Sequence, residues 1–473
     1  MALHAKLTRE ILKGPSGPKV GAFFDLDQTL LAGFSATAFF RERLLSGRMG
    51  PREVSDTLLG ALSFSVGRMG FSGFVTATTA AYRGMAESVM EEIGEEVFEK
   101  HLATAIYPES RALVRAHQEM GHTVAIISSA TRYQTEPLAR DFGIEHVLCT
   151  ELEVEDGIFT GRVVQPTCYG EGKAHAAIGL SESHDLDLGE SYFYTDSHED
   201  VPLLNVVGRP RPLNPNARLA QIAKERQWPV RRFHSRGTPS AGDLVRTGLF
   251  LGSVIPSIWA GVTAGLVNGS QREAINMLGS VWGDLATSLA GVDLRVDGEE
   301  HLWSHRPAVF IFNHQSGLDP VLMVKLVRRD VTGVGKQELK RNPIFGPLFA
   351  AVGTVFIDRG NREKAIEGLK PAVQALREGR SLMIAPEGTR SNTPRLGAFK
   401  KGAFHIAMQA GVPIVPVVFR NVLDALPKHG LVVRPATVEA VVLPPVETQG
   451  WTRENLDDEI KAIRDRYLEV LDG

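Results

Sequence analysis

The chain has 473 residues, 43% hydrophobic and 23% charged, which suits two or three globular domains and excludes wholesale disorder. Lys and Arg total 52 against 55 Asp and Glu, a net charge of −3, so no overall basic field exists to hold nucleic acid, and no nucleic-acid partner is expected. The two cysteines, Cys149 and Cys168, exclude a disulfide framework and a thiolate-rich zinc site. Residues 1–20 lack the apolar core of a signal peptide. The expectation is a reducing, cytoplasmic setting, in which the sequon Asn268-Gly269-Ser270 is coincidental.

Residues 20–24 form a short apolar run that ends in acidic residues, a buried strand leading into a functional loop. Residues 35–117 read as helical, and within 87–100 the spacing puts Val89, Ile93 and Val97 on one face. Residues 124–127 read as a second buried strand. Residues 150–164 read as a hairpin turning at Asp156-Gly157, and 191–195 as a further strand ending in an aspartate. Strands alternating with helices predict a parallel α/β sheet with the early helices inserted as a cap.

Residues 209–242 are rich in Pro and Arg and read as a domain edge plus linker. From Thr247 to Gln271 no side chain is charged, and 249–267 is mostly apolar. A further helix follows, with Ile275, Leu278, Val281, Trp282, Leu285 and Leu289 along one face. Strands at 308–312, 354–357, 382–385 and 414–419 alternate with helices in a second α/β domain. The expected division is 1–235, with a helical cap at about 35–117, then linker and membrane-associating helices at 236–290, then 291–473. No internal repeat is visible.

Asp25-Leu-Asp27 sits at the carboxyl end of the first strand, where open α/β sheets build their sites. Two carboxylates this close need a cation or a proton between them, and a hard divalent ion such as Mg2+ suits oxygen ligands. A carboxylate can also attack phosphorus. Ser128 ends the second strand, Lys173 offers a point charge for a phosphoryl oxygen, and Asp196 and Asp200 follow a third strand. Singly these residues read equally well as a helix cap, a solvated lysine and loop caps.

Together they resemble the haloacid dehalogenase superfamily, in its phosphoserine-phosphatase-like branch, over residues 15–235. The resemblance implies a Rossmann-like domain with a helical cap and an aspartyl-phosphate intermediate on Asp25. Asp27 would act as general acid and base and touch the metal through its carbonyl. Ser128 and Lys173 would hold the phosphoryl group, and Asp196 and Asp200 would lie at Mg2+. One departure stands out: residues 30–35 carry no charge, where phosphoserine phosphatases place an acid that reads the substrate's amino group. Phe34, Phe39 and Phe40 instead offer either an apolar lining for a lipid-like phosphate ester or cap core.

In the second half, Asn313-His314-Gln-Ser-Gly-Leu-Asp319-Pro follows a strand. A histidine base needs its ring held in one tautomer, which a carboxylate does, and His314 meets Asp319 only if the chain turns between them. Without a Gly-x-Ser-x-Gly elbow in this half, the base would activate a substrate hydroxyl directly. Arg359 and the block Glu387-Gly388-Thr389-Arg390 each end a strand. Arginine's planar fork suits phosphate, and Gly388 admits close backbone approach.

With Val412-Pro-Ile-Val-Pro416, these blocks resemble the glycerolipid acyltransferases, the 1-acylglycerol-3-phosphate acyltransferases above all, over about residues 290–450. The resemblance implies that His314 deprotonates a lysophosphatidic acid hydroxyl and Asp319 orients it. The alkoxide then attacks the thioester of acyl-CoA or acyl carrier protein. Arg359, Glu387, Gly388, Thr389 and Arg390, with Lys336, would bind the glycerol phosphate.

The apolar stretch is close to the length of a membrane span, yet Pro256 and its glycines favour an interfacial two-helix hairpin over 245–291. Arg226, Arg231, Arg232 and Arg236 would attract anionic lipid. A buried helix of the acyltransferase core is the alternative. The expectation is a bifunctional phospholipid-synthesis enzyme, peripheral or monotopic on the cytoplasmic face of the plasma membrane. The alternative is an acyltransferase for another lysolipid whose first domain is a regulatory or binding module.

Overall fold

The computed structural model describes residues 5–50, 71–337, 352–357 and 370–472, with positions 54, 55, 57, 59, 340 and 346 between them. The chain forms two compact units, Met1–Thr238 and Pro239–Gly473. The division leaves the helices of 241–290 in the second unit.

In the first unit the strands are β1 (Gly21–Phe24), β2 (Thr123–Thr131), β3 (His146–Thr150), β4 (Leu152–Glu155), β5 (Ile158–Val163), β6 (Tyr192–Thr195) and β7 (Arg209–Pro212). Five of them form a sheet in the order β3-β2-β1-β6-β7, parallel throughout. A central parallel strand is covered on both faces, which is why β1 is apolar at every position. Phe24 packs with Ile126 and Tyr194 in one core, and Phe23 with Ala125, Ile127 and Phe193 in another. The remaining strands, β4 and β5, form an antiparallel hairpin. Its turn takes positive φ at Asp156 (50°) and Gly157 (74°), as an Asp-Gly hairpin turn requires.

Between β1 and β2 lie the helices Ser35–Leu45, Phe71–Thr79, Glu87–Val97 and Pro108–Glu119. The last of these packs against β2 and sends His117 into the core beside Phe24. In Glu87–Val97 the buried face is Met90, Ile93, Gly94 and Val97. Val89, expected on that face, is exposed. The reason is Gly94: a Cβ there would fall 2.4 Å from the Tyr133 carbonyl oxygen, so the helix turns its bare position to its neighbour.

The second unit holds β8 (Val292–Asp297), β9 (Val309–Phe312), β10 (Val331–Lys336), β11 (Val355–Ile357), β12 (Ser381–Ile384), β13 (Ile414–Phe419) and β14 (Ala436–Val442). They form one sheet in the order β11-β10-β12-β9-β13-β14-β8. Only the β13–β14 pair is antiparallel.

The apolar stretch forms two helices, Ala241–Gly252 and Val254–Asn268, and turns at Gly269 (φ 61°) into Gln271–Ala290. The last two pack side by side, because Gly261 and Gly265 let Ala274 and Leu278 approach closely. The fully buried stripe of Gln271–Ala290 is Asn276, Gly283, Ala286, Thr287 and Ala290. The apolar residues expected to be its core face are only partly buried. Close approach decides this: a Cβ on Gly283 would meet the Lys325 main chain at 2.8 Å, so small residues occupy the contact.

Candidate active sites

The sheet order of the first unit sets β1 between β2 and β6, which brings the ends of β1 and β6 beside β2; that strand was expected to end at Ser128 but runs on to Thr131. Asp25 follows β1 and Asp196 follows β6, while Ser128 lies on β2; Asp25 is 6% exposed and Ser128 1%. The Asp25 Oδ1 oxygen lies 3.0 Å from Lys173 Nζ. The same ammonium donates to Asp200 Oδ2 at 2.8 Å, and the Thr195 hydroxyl donates to that oxygen at 2.6 Å. Asp27 is held by Ser35, whose main-chain N donates to Oδ1 at 2.8 Å and whose hydroxyl donates to Oδ2 at 3.2 Å. Ser128 Oγ accepts from Ala130 N at 3.2 Å.

Lys173 and Asp200 therefore face each other as a buried ion pair that also reaches Asp25. Neither Ser35 nor Thr195 stood out in the sequence, since a single hydroxyl carries no spacing signal. Of the three phenylalanines, Phe39 is cap core, whereas Phe34 is 61% exposed.

Burial pushes Asp25 up to about 7, with the Lys173 ammonium opposing and the Asp200 and Asp27 carboxylates adding to it. Burial likewise raises Asp27 to about 6, against the Ser35 hydrogen bonds. Asp196 reaches about 8, through burial and then the charge of Asp25. Lys173 is pushed above its ordinary value because the attraction of Asp200 and Asp25 outweighs its burial. It stays protonated. Burial is the main reason all three carboxylates hold their protons more tightly than usual, and for Asp25 and Asp196 neighbouring carboxylates add to it; a hard cation beside Asp25 and Asp196 would offset both effects.

In the second unit, β9 ends at Phe312 and the chain turns back on itself. His314 Nδ1 lies 2.8 Å from Asp319 Oδ2, and Asp319 is fully buried. The same oxygen accepts Gln315 N at 2.8 Å and Ser316 N at 2.9 Å. Asp319 thus organises the turn and orients the ring together. Burial raises Asp319, and the His314 hydrogen bond and charge oppose it. With Nδ1–H given to the carboxylate, Nε2 presents its lone pair outward. Asn313 locks the loop to β13 by exchanging two hydrogen bonds with Phe419, both 2.7 Å.

Glu387 does something other than expected. Its Oε1 accepts His314 N at 2.6 Å and its Oε2 accepts Gly397 N at 2.8 Å, so both oxygens are engaged by main chain. Gly388 has φ 76°, a conformation glycine adopts without strain. Ser391 N donates to His314 O at 2.8 Å, which brings the block 387–391 alongside the histidine. Arg390 Nη1 would stand 3.6 Å from a Cβ on Gly317, at the tip of the His314 turn. Thr389 is exposed. Lys336 ends β10, and Arg359 lies outside the described residues.

Residues 22–205 match the family model of haloacid dehalogenase-like hydrolases, and residues 293–420 match that of the acyltransferases. A Mycobacterium tuberculosis protein named phosphoserine phosphatase is 34% identical over 230 residues, 46% of this chain and 75% of that protein. The 1-acyl-sn-glycerol-3-phosphate acyltransferase of Limnanthes alba is 36% identical over 197 residues, 41% of this chain and 69% of the relative. The chain belongs to both families. Its hydrolase half and its acyltransferase half are joined in one polypeptide, and both halves are enzymes by descent. A Streptomyces azureus protein named for inhibition of morphological differentiation is 32% identical over 269 residues, 55% of this chain and 96% of that protein. Among solved structures, the 1-acyl-sn-glycerophosphate acyltransferase of Thermotoga maritima aligns at 23% identity and TM-score 0.41, over 48% of this chain and 97% of that one.

Proposed function

We propose that the acyltransferase half makes phosphatidic acid from lysophosphatidic acid and an acyl thioester, acyl-CoA or acyl carrier protein. The 2.8 Å contact of His314 Nδ1 with Asp319 carries this reading. It leaves Nε2 to take the proton of the acceptor hydroxyl, while the buried carboxylate stabilises the imidazolium that forms. The hydroxyl oxygen then attacks the thioester carbonyl and the thiolate leaves with the proton. Arg390 supplies a planar cation for the acceptor phosphate; Arg359 and Lys336 are assigned to the same task from sequence.

The hydrolase half is proposed as a Mg2+-dependent phosphatase. Mg2+ takes a small number of carboxylates and keeps several waters and substrate oxygens as ligands. Among the described residues no group of three or more acidic, histidine or cysteine side chains is arranged to hold a metal ion by itself. The chemistry of Asp25, Asp27 and Asp196, buried oxygen donors with raised proton affinity, fits such an ion. Asp25 and Asp196 would hold it, with Asp200 behind them and the Asp27 carbonyl beside them, and it would neutralise phosphoryl oxygens. Asp25 is assigned as nucleophile and Asp27 as the acid that protonates the leaving oxygen. Ser128 and Lys173 would steady the phosphoryl group. The uncharged segment 30–35 and exposed Phe34 favour an apolar phosphate ester over phosphoserine.

Contact with a membrane surface at its cytoplasmic face completes the proposal. By length and composition Ala241–Asn268 suffices to cross a bilayer, but a helix buried in a protein core would not leave Trp259 68%, Leu266 80% and Val267 79% exposed. An interfacial seat for these helices accounts for the patch.

The test is mass spectrometry of lipids formed by the purified chain with Mg2+, lysophosphatidic acid and oleoyl-CoA. Phosphatidic acid lost in His314→Ala supports acyl transfer; the absence of both phosphatidic acid and diacylglycerol from the parent chain's products overturns it. Diacylglycerol and phosphate that revert to phosphatidic acid in Asp25→Asn would place the two halves in sequence. Phosphate release from any ester that persists in Asp25→Asn overturns the nucleophile assignment.

A further inference from the structure

Two consecutive lysines near the acyltransferase site are treated differently by the fold. Lys401 Nζ pairs with Asp457 at 2.7 Å on the carboxyl-terminal helix Leu456–Asp472. Lys400 makes no ion pair with another described residue. Its side chain lies across Gly388: a Cβ added there would stand 3.0 Å from Nζ, 3.1 Å from Cδ and 3.2 Å from Cε. A bare glycine lets the lysine stem lie flat on the main chain, with its ammonium directly over the turn.

The placement is fastened at two further points. Lys400 N donates to Pro386 O at 2.8 Å, and Gly397 N donates to Glu387 Oε2 at 2.8 Å. The loop 397–400 is therefore tied to the same turn that contacts His314, through Glu387 and Ser391, and Gly317, beside Arg390. Two cations that lack a carboxylate partner among the described residues thus lie beside the histidine: Arg390 on the turn bonded to it, and Lys400 on the loop tied to that turn. A flexible lysine ordinarily keeps its head in bulk water. Lys400 is exposed, and its ammonium stands over Gly388 without an ion pair to another described residue, so it is open to an anion that enters beside the turn.

We infer that Lys400 is a specificity residue that binds the phosphomonoester of the acyl acceptor together with Arg390. This rests on the acceptor assignment made above. Lysine acts as a point charge and Arg390 as a planar fork, so the pair can take different oxygens of one phosphate. The acyl donor does not use this contact.

The experiment is steady-state kinetics of the full chain in detergent micelles, with lysophosphatidic acid and oleoyl-CoA varied in turn. Lys400→Ala is expected to raise KM for lysophosphatidic acid about tenfold with kcat nearly unchanged, as loss of uniform binding does. KM for oleoyl-CoA stays put, Lys400→Arg recovers most of the loss, and Lys401→Ala behaves as the parent. Monoacylglycerol, an acceptor without phosphate, should be acylated equally by parent and Lys400→Ala. An unchanged KM for lysophosphatidic acid, an equal loss with both acceptors, or a rise confined to oleoyl-CoA overturns the inference. Lys400→Met, which keeps the stem on Gly388, must reproduce the Lys400→Ala result. If the parent makes neither phosphatidic acid nor diacylglycerol, it is the acceptor assignment that falls, and this result is distinguishable because it appears before any variant is made.

Discussion

The Glu387 carboxylate accepts the main-chain N–H of His314 at 2.6 Å. With its other oxygen on Gly397 N, the side chain clamps the histidine turn to the 397–400 loop. Glu387→Gln keeps the size but replaces one acceptor by a donor, which then faces an N–H. We expect kcat for acyl transfer to fall about 10- to 100-fold through misplacement of the histidine. Stability should drop by about 1–3 kcal/mol for the lost buried hydrogen bond. Urea melts and initial rates on the same preparation check both.

Asp319 Oδ2 serves His314 and two main-chain N–H groups at once. In Asp319→Asn the amide oxygen can still hold this turn, but the negative charge that stabilises the imidazolium is gone. The expected loss in kcat is on the order of 10³-fold with little change in KM, measured as phosphatidic acid formed per unit time. A variant within a factor of two of the parent would remove Asp319 from the mechanism.

Lys173 is the cation between Asp25 and Asp200, all three nearly inaccessible. Lys173→Met leaves two buried carboxylates facing each other without it. Breaking such an arrangement costs about 3–5 kcal/mol, so the hydrolase unit should unfold at markedly lower urea and release no phosphate. Equal urea midpoints in parent and variant would contradict the ion pair.

His117 is buried and pairs with His122 and Tyr194 at 2.7 and 2.8 Å. Burial holds it well below the ordinary imidazole value of 6.5, with the charges of His122 and Arg211 adding. The unfolded chain therefore takes up a proton below 6.5 that the folded chain refuses. Stability is full above that value and falls as pH drops beneath it. Thermal melts between pH 7.5 and about 5 should show Tm declining in this window, and the decline should be shallower in His117→Phe.

The exposed face of Val254–Asn268 gives a physical test of membrane contact. Trp259→Glu combined with Leu266→Glu places two charges on side chains that are 68% and 80% exposed. Folding should therefore be little affected, and flotation of the full chain with liposomes should be lost. Failure of the parent chain to float would overturn the interfacial seat and favour the core-helix alternative.

Much of the fold was legible because its strongest signals are local. Strands β1, β6, β9 and β13 are covered on both faces and stand out as unbroken apolar runs. Strands β8 and β14 alternate instead, each with a less buried face, and β10 is interrupted by glycines. None of the three declares itself as a core strand. Helix faces were misjudged where glycine set the contact. Hydrophobic spacing favoured Val89 and Leu285, whereas close approach at Gly94 and Gly283 put other residues inside.

The sequence by itself determined the two α/β halves, the order of their motifs and the strand ends that carry Asp25, Asp196 and Glu387, because each of these is written in a few consecutive residues. Only the tertiary structure decided which groups meet. Placing β1 between β2 and β6 is what sets Ser128 and Asp196 on either side of Asp25, and the helix Glu171–His184 is what carries Lys173 to Asp25 and Asp200. In the other half, folding set Glu387 against the main chain of His314 and Gly397 and laid Lys400 over Gly388. Such pairings join residues far apart in the chain, so they depend on sheet order and backbone approach, which no local spacing encodes.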